Sequence, residues 1–259
     1  MTMGRMNTDG VPTLSVADGC ATICLNRPAV HNRIEPGDLV ALAALLDQVE
    51  ADRALRVVVL TATGKSFSSG FHIGELGAAE PAPGHGFEDV VDRVERLRVP
   101  TVCALQGGVY GGSTDLALAC DFRIGVADIA MFMPAARLGL HYYLGGLRRY
   151  VSRLGPDATK RLFLTGERIE AEAMLAIGFL TELVAADRLD ARVAELAATL
   201  AANAPLAVQG MKAAINGLAC GDADLDAIRH AARASMSTQD VAEGRAAWLA
   251  RRPPRFVGA

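Results

Sequence analysis

Residues 99–146 read VPTVCALQGGVYGGSTDLALACDFRIGVADIAMFMPAARLGLHYYLGG. A β-type run, Thr101 to Leu105, leads into four closely spaced glycines, Gly107, Gly108, Gly111 and Gly112, with Val109 and Tyr110 between the pairs. A helical pattern follows from Ser113 to Cys120, with Ser113 or Thr114 as its expected cap. Strand, glycine-rich turn and helix start together place free backbone N–H groups at the positive end of a helix dipole. Such a corner suits an anion or a developing oxyanion.

Working outward on the N-terminal side, Thr13 to Val16 and Cys20 to Leu25 are short β-type runs. Asp18 and Gly19 between them supply hairpin chemistry, which predicts that the two pair. Pro36 to Arg53 has helical spacing through Leu39, Leu42, Ala43, Leu46 and Val49, with Pro36 suited to a helix start. The β-branched run RVVVLT, Arg56 to Thr61, reads as a buried strand. Strand, helix, strand in that order predicts a crossover unit and an α/β architecture. The Gly-, Ser- and Pro-rich segment Thr63 to Phe87 is expected to be a loop over the site. Phe87 to Leu97 resumes a helical period.

Beyond Gly146 the pattern is almost wholly helical, over Gly146–Arg153, Asp157–Leu164, Glu170–Ile177, Asp187–Ala202, Leu206–Leu218, Leu225–Ser237 and Val241–Ala250. No short-period repeat indicates a solenoid. With 259 residues, 51% of them hydrophobic, the chain can bury a large core without disulfides. Its five cysteines are odd in number and sit mostly in apolar runs, the pattern of reduced, buried thiols. No spacing suggests a metal site. A net charge of −3 gives no electrostatic footprint for nucleic acid or an anionic membrane. No run is long enough to span a bilayer, and the N-terminal residues lack the apolar stretch of a signal peptide. A cytoplasmic protein is the expectation.

The stretch from Pro100 through the glycine pairs, DLALACDFRI (Asp115 to Ile124), Met133-Pro134 and Leu138 to Leu140 resembles the crotonase, or enoyl-CoA hydratase/isomerase, superfamily. So do LNRP (Leu25 to Pro28), GKSFSSGFHIGEL (Gly64 to Leu76), Leu164 to Val184 and Glu243 to Phe256, which occur in the family's order across nearly the whole chain. The resemblance implies a spiral of ββα units, residues 1–200, followed by a C-terminal helical trimerisation region, 201–259. It also implies an acyl-CoA substrate, no cofactor beyond the coenzyme A moiety of that substrate, and a homotrimer or dimer of trimers.

By the same resemblance the N–H groups of Phe71 and Gly112 form an oxyanion hole for a thioester enolate, although FSSGF and YGGS taken singly are ordinary turns. Hydratases of the family use two glutamates. Here Asp115 stands at the first position and Ala135 at the second. Asp for Glu retracts the carboxylate by roughly 1.5 Å, and alanine has no acid at all. Two-carboxylate hydration is therefore in doubt. Tyr142 matches a tyrosine of the family's methylmalonyl-CoA decarboxylases, which makes decarboxylation or C–C bond cleavage the alternative, and a non-catalytic acyl-CoA binder the third. For Asp115 a cap or solvated acid near a helix start is the competing role. His72, His141 and Tyr143 are left without an assigned role. Lys65, Ser69 and Arg251 are implied on the CoA side, Arg251 through its 3′-phosphate. Arg27 belongs to the same group by resemblance, but the turn at Pro28 equally gives it a structural role.

Overall fold

In the computed structural model, which describes residues 10–75 and 82–259, β1 (Thr13–Ala17) and β2 (Cys20–Leu25) pair antiparallel as the hairpin reading predicts. Asp18 and Gly19 turn the chain at positive φ, 50° and 74°. Helix α1 (Pro36–Ala51) starts on its proline, and Asp38 accepts the N–H of Glu35 at 2.9 Å. Leu39, Leu42, Ala43, Leu46 and Val49 form its buried face. Each leucine so placed contributes about 1.5–3 kcal/mol. Strand β3 (Val57–Ala62) then pairs parallel to β2, completing the crossover.

From here two strands are laid down per turn, one in each of two sheets. β3 is followed by β4 (Ser66–Ser68) and α2 (Phe87–Arg96), and β5 (Thr101–Leu105) by β6 (Gly108–Tyr110) and α3 (Gly112–Ala119). β7 (Phe122–Val126) is followed by β8 (Ala130–Phe132) and then α4 (Leu144–Lys160). The larger sheet has the order β1-β2-β3-β5-β7-β10 and the smaller β4-β6-β8-β9, where β9 is Ile169–Glu170 and β10 is Glu182–Val184. Successive strands in both sheets and the helices between them make the expected ββα spiral.

The second sheet corrects two sequence readings. Ser66–Ser68 lies inside the expected loop, and Gly108–Tyr110 inside the expected glycine turn, yet the two pair in parallel. Three-residue strands carry too little alternation to be read locally. Residues 76–81 of that loop fall outside the described residues. The C-terminal half is also less purely helical than its pattern implies, since β9 and β10 each extend a sheet. The two helices expected over 146–164 are one element, α4, broken at Gly155 (φ 77°) before Pro156, and one looser helical turn, Arg161–Thr165.

Helices α5 (Ala171–Ala176) and α6 (Leu189–Ala202) close the core. Helix α7 (Pro205–Cys220) is pinned to it by Lys212, whose buried ammonium reaches Asp121 at 2.8 Å and donates to the Val99 carbonyl at 2.9 Å. Helix α8 (Leu225–Ser235) buries none of its residues, and on α9 (Gln239–Ala250) Trp248 and Leu249 are 85% and 75% exposed. All five cysteines are free thiols, with Cys24, Cys103 and Cys120 buried. Among the described residues no helix is long and apolar enough to cross a membrane, and no group of His, Cys, Asp and Glu is placed to hold a metal ion.

The chain end is tied down electrostatically. Glu243 takes both terminal guanidinium nitrogens of Arg252, at 2.6 and 2.8 Å, and the N–H of Arg255 at 2.7 Å. These donors, Arg252 first, hold its carboxyl down to about 2 from an ordinary 4.5. A depressed carboxyl contributes stability above its unfolded value and loses it as pH falls toward the folded one. The Arg252–Arg255 stretch is therefore expected to come off Glu243 as pH drops from about 4.5 toward 2, whereas Val257 and Gly258 are held separately by the Asp240 carboxylate. The NMR amide shift of Arg255, whose N–H donates to Glu243, should report this before global unfolding, and E243Q should abolish that early transition.

Candidate active site

The glycine corner is assembled by short side chains on the two smaller strands. Ser68 donates its hydroxyl proton to the Asn32 carbonyl at 2.7 Å and accepts the Gly70 N–H at 3.1 Å. The Ser113 hydroxyl lies 2.9 Å from the Ser68 carbonyl and 2.7 Å from that of Tyr110, and accepts the Tyr110 N–H at 3.0 Å. The segment after β4 is thereby held against the start of α3. Gly70 (φ 91°) sits at the contact, where a Cβ would lie 2.6 Å from the Tyr110 carbonyl oxygen and 3.1 Å from Gly112 N. Only glycine fits there.

Phe71 bridges Ile34 in parallel. The Ile34 N–H donates to the Gly70 carbonyl at 2.9 Å, and the His72 N–H to the Ile34 carbonyl at 3.0 Å. That pattern leaves the Phe71 N–H directed away from Ile34. On the other side the first residue of α3 is Gly112, and the residue before it, Gly111, is a glycine at φ 55°. Neither Ser113 nor Thr114 caps the helix as the sequence suggested. Ser113 serves the strands, and Thr114 donates to the Gly111 carbonyl at 2.6 Å. The leading N–H groups of α3 are consequently free of a side-chain cap.

One turn further along α3, Asp115 is neither a cap nor a solvated acid. It is fully buried. Arg149 of α4, itself without exposed surface, donates Nη1 to its Oδ1 at 2.6 Å. Tyr142 donates to Oδ2 at 3.1 Å, and Tyr143 donates to the same oxygen. Arg149 also meets Asp92 at 2.6 Å and Glu95 at 3.1 Å, both on α2. Burial lifts the Asp115 carboxyl above its usual range, opposed by Arg149 and the tyrosine donors. Burial disfavours the Arg149 charge, but the Asp115 and Glu95 carboxylates outweigh it and raise its pKa. Both tyrosine hydroxyls are pushed well up, first by burial and then by Asp115. Three of its roughly four acceptor positions are taken and none of its surface is exposed, so it is not presented to a substrate as a free base.

Tyr142 and Tyr143 stack at 4.5 Å, with Tyr142 the deeper, against Tyr150 and Phe163. Tyr143 is half-buried and meets Phe87 at 6.4 Å, and Phe87 meets Phe71 at 6.0 Å. The Phe87 ring lies over the start of α3, 2.8 Å from where a Cβ on Gly112 would be. Ala135 is buried at the start of a helical turn, Ala135–Leu138.

The structure thus brings Phe71 and Gly112 together through Gly70, and Asp115 together with Tyr142. Lys65 and Ser69 are exposed on the same segment as Gly70. Arg27 pairs with Asp38 at 2.8 Å, in keeping with its structural alternative. Arg251 lies on a separate element, exposed at the C-terminal end of α9. The Glu35 carboxylate accepts from His72 Nδ1 at 2.8 Å, and the exposed His141 sits against the Tyr142 carbonyl. The sequence reading did not single out Arg149, Asp92 or Glu95. The one local signal was an arginine on a helix face that otherwise turns Gly146 and Tyr150 inward.

The sequence profile of the enoyl-CoA hydratase/isomerase family matches residues 15–259. The chain is 30% identical over 239 residues to the short-chain-enoyl-CoA hydratase of Clostridium acetobutylicum, covering 90% of this chain and 92% of that protein. It is equally 30% identical over 253 residues to the 1,2-epoxyphenylacetyl-CoA isomerase of Escherichia coli, covering 94% and 97%. The crystal structure of an enoyl-CoA hydratase from Bacillus anthracis superposes with a TM-score of 0.87 at 30% identity, covering 96% of this chain and 99% of that one. An enoyl-CoA hydratase/carnitine racemase structure from Magnetospirillum magneticum gives 0.89 at 30% identity, covering 96% of both chains. A two-sheet ββα spiral, a glycine corner between β6 and α3, and similarity along almost the full length converge on one assignment: the chain belongs to the enoyl-CoA hydratase/isomerase family of the crotonase superfamily.

Proposed function

We propose that the protein binds an acyl-CoA thioester and stabilises its enolate oxygen with the N–H groups of Phe71 and Gly112. The observation that carries this reading is the junction at Gly70, which holds one N–H turned off its strand partner beside an uncapped helix start. Two preorganised amides of this kind suit a developing oxyanion, and losing one costs about 3 kcal/mol of barrier. Asp115, buried and tied to Arg149 and two tyrosines, and Ala135, without an ionisable group, disfavour hydration by two carboxylates. Reactions that release the enolate without a side chain taking an α-proton, decarboxylation or C–C cleavage, fit better. Tyr142 is a poor candidate for the acid in them, because its proton is committed to Asp115 and its ring lies under Tyr143.

Lys65, Ser69 and Arg251 are proposed on the CoA side, with Arg251 offering a bidentate fork to a phosphate. No cofactor is required beyond the CoA moiety. The apolar side chains exposed on α7, α8 and α9, Met211, Ile215 and Leu225 among them, support a trimerisation region there. The decisive assay is CO2 loss from a malonyl-type thioester in D2O, with deuterium entry at the α-carbon followed by NMR, beside hydration of crotonyl-CoA. Catalysed CO2 loss with weak hydration is expected. Binding with no turnover would favour an acyl-CoA carrier, and full hydratase activity would refute the role given to Asp115.

A further inference from the structure

Three of the eight phenylalanines and three of the four tyrosines form one unbroken run of ring contacts. It passes from Phe71 to Phe87, Tyr143 and Tyr142, and ends on Tyr150 and Phe163. The inner rings, Tyr142, Tyr150 and Phe163, are buried, whereas Phe71, Phe87 and Tyr143 are only half-buried. The run therefore opens at the residue that carries one of the two proposed oxyanion donors. Its free end also overlies the other donor, since the Phe87 ring comes within 2.8 Å of a Cβ position on Gly112.

Two of these rings adjoin the proposed donors, Phe71 as the residue that carries one and Phe87 packed on the first residue of α3. A carbonyl oxygen accepting from Gly112 N–H at about 2.9 Å places its carbon within roughly 4 Å of that nitrogen. The acyl group attached to that carbon therefore starts beside the residue on which the Phe87 ring packs. The polar ends of the wall are not available to an acyl chain. Tyr142 and Tyr143 both spend their protons on Asp115, so the run presents ring faces and edges rather than donors. A linear alkyl chain would gain apolar contact there but nothing from the ring quadrupoles, and a hydroxylated chain would find no free tyrosine proton.

We propose that the acyl group this site takes is an aryl one, a phenyl-bearing acyl-CoA whose ring extends the run at Phe71, Phe87 and Tyr143. The proposal rests on the acyl-CoA reading above and adds the class of acyl group to it. The test compares two ligands that differ only in aromaticity, phenylacetyl-CoA and cyclohexylacetyl-CoA, by isothermal titration calorimetry on the full-length protein. Each aromatic pair adds a modest increment beyond its buried area, so about three- to tenfold tighter binding of the phenyl ligand is expected. In F87L and Y143L, each checked for folding by circular dichroism, the ratio of the two dissociation constants should fall toward one. Equal binding of both ligands to the unsubstituted protein overturns the aryl assignment and leaves the acyl-CoA reading standing. Failure of both to bind overturns the two together. An unchanged ratio in both folded variants also overturns it, because the preference would then arise elsewhere.

Discussion

Replacing Arg149 with methionine is expected to cost about 3–5 kcal/mol of stability, since it leaves Asp115 as an uncompensated charge in a site without solvent. Asp92 and Glu95 lose the same partner but are partly exposed and suffer less. For a chain of this size each kcal/mol corresponds to about 2–4 °C, so thermal unfolding should move down by about 10 °C. The double variant R149M/D115L removes charge from both sides and should recover much of the loss, because a buried pair replaced by apolar groups is often close to neutral. An R149M midpoint within a degree or two of the parent would mean that Asp115 is not the buried, paired acid described here.

Substituting Gly70 with alanine should act on chemistry more than on folding. The backbone there has φ 91°, and the new Cβ would sit 2.6 Å from the Tyr110 carbonyl oxygen and 3.1 Å from Gly112 N. Positive φ in a non-glycine residue costs roughly 1–2 kcal/mol, and the clash must be relieved by parting the two segments. Those segments carry the two proposed donors. A displacement of about 1 Å is worth on the order of a hundredfold in rate, so CO2 loss from a malonyl-type thioester should fall by at least that factor while the protein still unfolds cooperatively. A folded G70A protein turning over at the parental rate would separate the Gly70 junction from catalysis.

Much of this molecule is readable along the chain. The β1/β2 hairpin follows from Asp18-Gly19, α1 from the spacing of its five buried apolar residues, and the β2-α1-β3 crossover from their order. These are local properties, expressed within one hairpin or a few helical turns. The glycine pairs before α3 are legible for the same reason, since a close backbone approach excludes a side chain whatever else surrounds it.

What residues 66–68 and 108–110 do was not legible, because each strand is three residues long and gains its hydrogen bonds only from the other, some forty positions away. The helix start shows the same limit. Ser113 has the right chemistry for a cap, yet its hydroxyl is drawn instead to the Ser68 and Tyr110 carbonyls. Asp115 is the sharpest case. Its residue type and position marked it as an altered catalytic acid, but its chemical state depends on Arg149, 34 positions later, and on two tyrosines nearly as distant.

The amino-acid sequence by itself determined the first hairpin and crossover, the helix and strand periods and the place of the glycine corner, because propensity, turn geometry and apolar period act between near neighbours. Only the tertiary structure decided that the acid beside that corner is locked in an ion pair and that a run of aromatic rings opens onto it. Burial, ion pairing and ring contact depend on which distant segments the fold brings together.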